Sequence, residues 1–132
     1  VGGTVSFEHV GLNVPDARKM GVWYARHLSM RPALEGTSKE GVDFCFLADA
    51  TGRMTLEFYT NRTQPIPDYA SMHPLIMHLA FAVADAAGER DRLVAAGATL
   101  FDDVRTADGS HLVVLRDPWG VPIQLCQRAK SF

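Results

Sequence analysis

From Phe7 to Val14 the chain alternates, with Val10, Leu12 and Val14 in one phase and Phe7, His9, Gly11 and Asn13 in the other. Period two predicts a strand with two unlike faces. Asp16 is a helix N-cap, and the apolar spacing of Met20, Trp23, Tyr24 and Leu28 predicts a helix to about Ser29. Three strands follow at Arg31 to Glu35, Val42 to Ala48 and Met54 to Thr60, with Asp49 to Gly52 as the turn before the last. Residues 61–74 are proline-rich, lack periodicity and read as a linker. The pattern then returns: a strand from Leu75 to Val83, a helix from Asp85 to near Gly97, and strands at Ala98 to Thr106, Ser110 to Arg116 and Val121 to Gln127. Asp117 to Gly120 is the turn before the last strand.

The return is a repeat. HVGLNVPD (9–16) lies over HLAFAVAD (78–85), FCFLADATG (44–52) over LVVLRDPWG (112–120), and TLEFYT (55–60) over PIQLCQ (122–127). The offset drifts by one residue per segment, as loop insertions and deletions produce. Each half alone buries little surface, so two modules sharing one core is the expected arrangement. The order is βαβββ twice: an α+β fold of two tandem modules, 5–60 and 75–127, in a single domain over 1–132. The helices cover one face of the sheet, and the other face is free to curl into a trough.

Composition narrows the function classes. Thirteen Lys+Arg against fifteen Asp+Glu leave a net charge of −2, which excludes a strongly basic nucleic-acid binder. No apolar run reaches the ~18 residues of a membrane span. Val1 to Phe7 shows no basic-then-apolar leader pattern. Cys45 and Cys126 form no metal-type pair, which predicts reduced thiols and a cytoplasmic protein.

Four polar side chains occupy the phase opposite the core on four strands: His9, Glu57, His78 and Gln124. A lone histidine or glutamate in a strand is usually structural. Here the four correspond in pairs across the repeat, His9 with His78 and Glu57 with Gln124. Pseudo-twofold symmetry brings equivalent strands together, so two imidazoles, a carboxylate and an amide are expected to converge. A buried carboxylate is costly without a cation. Two His and one Glu suit Ni, Zn, Co, Mn or Fe better than Mg or Ca.

The opening Phe7-Glu-His-Val-Gly-Leu-Asn-Val14, the helix end Leu93-Val-Ala-Ala-Gly97 and, most tellingly, Asp117-Pro-Trp-Gly-Val-Pro-Ile-Gln-Leu125 resemble the vicinal-oxygen-chelate superfamily of glyoxalase, bleomycin-resistance and dioxygenase proteins. The resemblance covers residues 5–127. It implies metal ligands at His9, Glu57, His78 and Gln124, where the last is usually Glu in relatives. It also implies a homodimer with sites at or near the subunit interface and no nucleic-acid or membrane partner. The shared chemistry of such proteins is chelation of adjacent substrate oxygens, which stabilises an enolate-like intermediate. Glu57 is the single candidate base among the four. The expectation is a metal-dependent lyase or isomerase of the glyoxalase I type acting on a small substrate. The alternatives are a metal-free drug- or metabolite-binding protein and an Fe(II) ring-cleaving dioxygenase. Phe7, Asn13, Tyr59, His111 and Trp119 are the candidate substrate-lining residues.

Overall fold

A computed structural model describes residues 2–132; Val1, which heads the segment read for a leader, lies outside them. The elements are β1 (His9–Asn13), α1 (Ala17–His27), β2 (Arg31–Thr37), β3 (Asp43–Ala48), β4 (Thr55–Thr60), a 3-10 turn (Tyr69–Ser71), β5 (Leu79–Ala82), α2 (Ala86–Ala95), β6 (Thr99–Arg105), β7 (His111–Arg116) and β8 (Pro122–Gln127). They form two four-stranded sheets, ordered β1-β4-β3-β2 and β5-β8-β7-β6. The chain divides into two compact units, one ending at Pro67 and the other running Asp68–Phe132. Each unit is one βαβββ module, as the repeat predicts.

Each unit closes an apolar core between its own helix and its own sheet. In the first, Met20 and Tyr24 of α1 meet Leu47 and Phe58 of the sheet, all fully buried. The Tyr24 and Phe58 rings pack edge to face with centroids 4.9 Å apart. In the second, Leu93 of α2 belongs to a buried set with Val113, Leu115, Ile123 and Leu125. Because strand side chains alternate, the residues between these point away from the helix.

Local chemistry is repeated as closely as the strand order. The Asp16 carboxylate accepts the Lys19 N–H at 3.0 Å, and Asp85 accepts that of Gly88 at 3.1 Å. A side chain at the end of the last strand satisfies another free helix donor: Thr60 accepts the Ala17 N–H, and Gln127 that of Ala86, both at 2.9 Å. Asp117 accepts the N–H groups of Trp119 and Val121 and thereby shapes the turn before β8. The first and last strands of each module are parallel neighbours in the same register, Gly11 opposite Glu57 and Ala80 opposite Gln124.

Strand ends move by up to two residues from the sequence expectation, β1 starting at His9 and β2 running to Thr37, and two elements differ by more. The fifth strand begins at Leu79 instead of Leu75, because Pro74 enters a turn closed by the Ile76 N–H on the His73 carbonyl at 2.9 Å. The linker is also shorter than 61–74. Arg116 donates to the carbonyls of Tyr69 at 2.8 Å and Met72 at 2.9 Å, which fastens that stretch to the second unit.

Candidate functional site

On the first unit, the face turned away from α1 carries His9, Gly11 and Asn13 from β1, Glu57 and Tyr59 from β4, and Phe44 and Phe46 from β3. Register pairs Phe46 with Glu57 and Phe44 with Tyr59. His9 Nε2 lies 3.5 Å from Glu57 Oε1. Both side chains are partly buried, at 33% and 20% exposure. A Cβ on Gly11 would come within 3.2 Å of Glu57 Oε1, so the missing side chain is what lets the carboxylate lean across β1 toward His9. The His9 ring packs edge to face on Phe46, centroids 5.2 Å apart.

The tautomer of His9 follows from its other contact. Nδ1 lies 2.8 Å from Glu8 Oε1. A carboxylate only accepts, so Nδ1 is the donor to Glu8, and a ring without a proton on Nε2 turns that lone pair toward Glu57. Two acceptors facing each other need a proton or a metal cation between them. Moreover, 3.5 Å is close to the separation that two donor atoms keep when each sits about 2.1 Å from one tetrahedral ion. The pair therefore fits a divalent metal, with Glu8 in the carboxylate–histidine relation that orients metal-binding imidazoles.

The second unit carries the other two residues. His78 is two residues before Ala80 in sequence, as His9 is before Gly11, but it precedes β5 and is not a strand residue as the alternation predicts, because the turn at Pro74 delays the strand to Leu79. His78 Nδ1 lies 2.7 Å from the Pro74 carbonyl, which again accepts only, so Nδ1 is the donor and Nε2 is the nitrogen left to take a ligand. The turn at Pro74 thus has a chemical consequence. Gln124 lies on the face away from α2, between Ala80 and Val114 in register, and accepts from the Cys126 thiol at 3.5 Å. Among the described residues, no three or more His, Cys, Asp or Glu side chains are gathered into a group that could hold a metal ion. Of the candidate ligands, His9 and Glu57 face each other on the first unit, while His78 and Gln124 belong to the second.

The candidate substrate-lining residues scatter. Tyr59 is on the same face as Glu57. Asn13 is spent on structure: its amide donates to the Asn61 carbonyl and accepts the Asn61 N–H, each at 2.8 Å. Phe7 precedes β1 and is 69% exposed. Trp119 sits in the turn before β8. His111 faces α2 and not the side that carries Gln124. It is 2% exposed, and its Nε2 lies 2.6 Å from Asp103, which also accepts from Arg90 of α2. Those two donors, His111 first, hold the Asp103 carboxyl below its ordinary range. Burial pushes the Cys45 thiol up to about 11 and raises Cys126, so both free cysteines are protonated.

Sequence reasoning passed over four residues that matter here. Glu8 was legible as an acid next to His9. Phe44 and Phe46 were legible as the phase opposite Cys45 and Leu47. The Pro74 carbonyl was not, because a backbone acceptor four residues away carries no side-chain signal.

The model of the glyoxalase-like domain matches residues 9–126. The chain belongs to that family, within the vicinal-oxygen-chelate superfamily. No curated protein matches the sequence with significance. Solved structures share the fold at low identity. A glyoxalase family protein from Bacillus cereus is 17% identical, with a TM-score of 0.80 and 95% of each chain covered. An antibiotic binding protein from Streptomyces sp. CB03234 is 18% identical with a TM-score of 0.73, covering 97% of this chain and 100% of that one. A fosfomycin resistance protein from Listeria monocytogenes, in complex with Mn(II) and 1S,2S-dihydroxypropylphosphonic acid, is 13% identical with a TM-score of 0.73, covering 96% and 95%. Among the described residues no helix is long and apolar enough to cross a membrane.

Proposed function

We propose that the protein is a divalent-metal-dependent lyase or isomerase acting on a small substrate with adjacent oxygens. His9, Glu57, His78 and Gln124 hold the ion, and Glu57 doubles as the base. The supporting observation is the placement of the imidazoles. Glu8 and the Pro74 carbonyl each occupy an Nδ1–H, leaving both Nε2 atoms as ligands. Bound there, a divalent ion supplies charge stabilisation to a substrate oxyanion. Glu57, a ligand at rest, would act during turnover as the base that accepts a proton from the carbon next to that oxygen and returns it, a role the neutral amide of Gln124 cannot share. Phe46 and Tyr59 wall the carboxylate and limit water beside it. Nickel, zinc, cobalt, manganese and iron all suit this donor set. The working form is a homodimer, and the buried reduced thiols suit a cytoplasmic location.

Protein purified without chelator, or incubated with each of these metals, is expected to retain about one ion per site by elemental analysis, and His78→Ala to lose it. A parent that takes up none of them refutes the enzyme. The second reading, a metal-free binding protein, would then stand. It is favoured by the aromatic face of Phe44, Phe46 and Tyr59 and by likeness to an antibiotic binding protein.

A further inference from the structure

Beside Glu57 the same face opens into a cavity of about 370 Å³, lined by Ser38, Glu40, Val42, Phe44, Glu57, Tyr59 and Asn61. Two glycines shape it. A Cβ on Gly36 of β2 would come within 3.1 Å of the Phe44 ring, and one on Gly11 of β1 within 3.2 Å of the Tyr59 ring. Phe44 and Tyr59 are register partners on adjacent central strands. Each ring therefore lies outward over a flanking glycine, Phe44 toward β2 and Tyr59 toward β1. A slot with aromatic sides is left between them. The 38–42 turn closes one end and is stitched by three bonds: Ser38 N–H to the Val42 carbonyl, Gly41 N–H to the Ser38 carbonyl, and Val42 N–H to Ser38 Oγ. That turn places Glu40 at the rim.

The charge of the slot has one sign. No Lys, Arg or His lines it, and two carboxylates do. Lys39, beside Glu40 in the turn, is exposed and not among the lining residues. An adjoining cavity of about 610 Å³ adds Asp16 and Asp43 and a single cation, Arg62, whose guanidinium donates to the Pro15 carbonyl. With Glu57 committed to a metal, Glu40 still supplies negative charge at the rim. Rings and carboxylate together attract organic cations and repel anions.

We infer that this slot binds the arylalkyl-ammonium end of a ligand, with the ring between Phe44 and Tyr59 and the ammonium toward Glu40. The inference deepens the enzyme reading by naming its substrate class, and it rests on that reading only for the adjacency to Glu57. The probes are phenethylamine and 3-phenylpropionate, which share a ring and differ in the sign of the terminal charge. Each is titrated calorimetrically into the protein at neutral pH and low salt, with bound metal measured separately on the same samples. The amine is expected to bind at least ten-fold more tightly than the carboxylate. Glu40→Gln should weaken the amine several-fold and the carboxylate not at all, and the amine preference should shrink as salt rises. Phe44→Leu, with folding checked by circular dichroism, should weaken both probes. Equal affinities, no binding of the amine, or amine binding unchanged in both variants overturns the slot. Metal uptake without amine binding removes the slot and leaves the enzyme; amine binding without metal uptake does the reverse.

Discussion

The two units use one backbone plan, yet each helix is held to its sheet by different means. At the first, Gly21 of α1 lies so close to β3 that a Cβ there would sit 2.9 Å from Cys45 Sγ. At the second, the residue in the place of Gly21 is Arg90. It reaches over the sheet to Asp103, which is bonded in turn to the buried His111. One contact is tight apolar packing, the other a chain of charges. The faces away from the helices differ in parallel. The first unit offers a histidine, a carboxylate and three aromatic rings. The second offers a histidine and an amide beside alanine and valine. A duplicated frame tolerates such divergence because caps, turns and register lie in the backbone and its nearest side chains. The residues facing outward or inward are free to specialise.

The largest expected effect comes from erasing the difference between the paired strands. Glu57→Gln makes the paired positions alike and removes the carboxylate facing His9 Nε2. Metal affinity should fall by at least about 100-fold, measured by competition with a chelator of known strength, since even outer-shell changes cost about 10–100-fold. Gln124→Glu is the mirror change and should tighten metal binding. If both variants bind like the parent, the four residues are not ligands.

Next is the close contact of α1. Gly21→Ala gains about 1 kcal/mol of helix propensity but forces a methyl against a buried sulfur. Overpacking of this kind costs about 1–3 kcal/mol, so a net loss of up to about 2 kcal/mol is expected in urea denaturation. In a Cys45→Ala background the same change should turn stabilising. A loss of equal size in both backgrounds would show that the sulfur is not the obstacle.

The smallest effect, about 1 kcal/mol, belongs to the charged chain of the second unit. The folded state holds the Asp103 carboxyl low through His111 and then Arg90. Its contribution is complete above the unfolded carboxylate value of about 3.9 and disappears as pH falls through the lower folded value. Asp103→Asn should therefore flatten the loss of stability below about pH 4 while lowering stability modestly at pH 7. Urea midpoints at pH 7, 4 and 3 test this, and parallel curves for parent and variant would refute it.

Much of this was legible in the residues. Alternation in FCFLADA and TLEFYT set which side chains face the helix. Asp16 and Asp85 announced both helix starts, and the 67–69 residue offsets announced the duplication. His111 was not legible, because it sits in a regular alternating strand at a position equivalent to Asp43. Its inward orientation places a buried ring nitrogen where Asp103, itself bonded to Arg90, can satisfy it. Those partners come from two other elements and have no fixed spacing to it.

By itself, the sequence determined the two βαβββ modules, the family, and which residue types stand on the face away from each helix. These follow from period, capping and turn chemistry, which act over a few residues. Only the tertiary structure decided that Glu8 and the Pro74 carbonyl engage Nδ1 of His9 and of His78. It alone showed that Gly11 gives Glu57 room to approach His9, and that Phe44 and Tyr59 part over glycines to open a slot. Those outcomes depend on distances between strands that the chain brings together from far apart. A difference of a few tenths of an ångström there separates contact from clash.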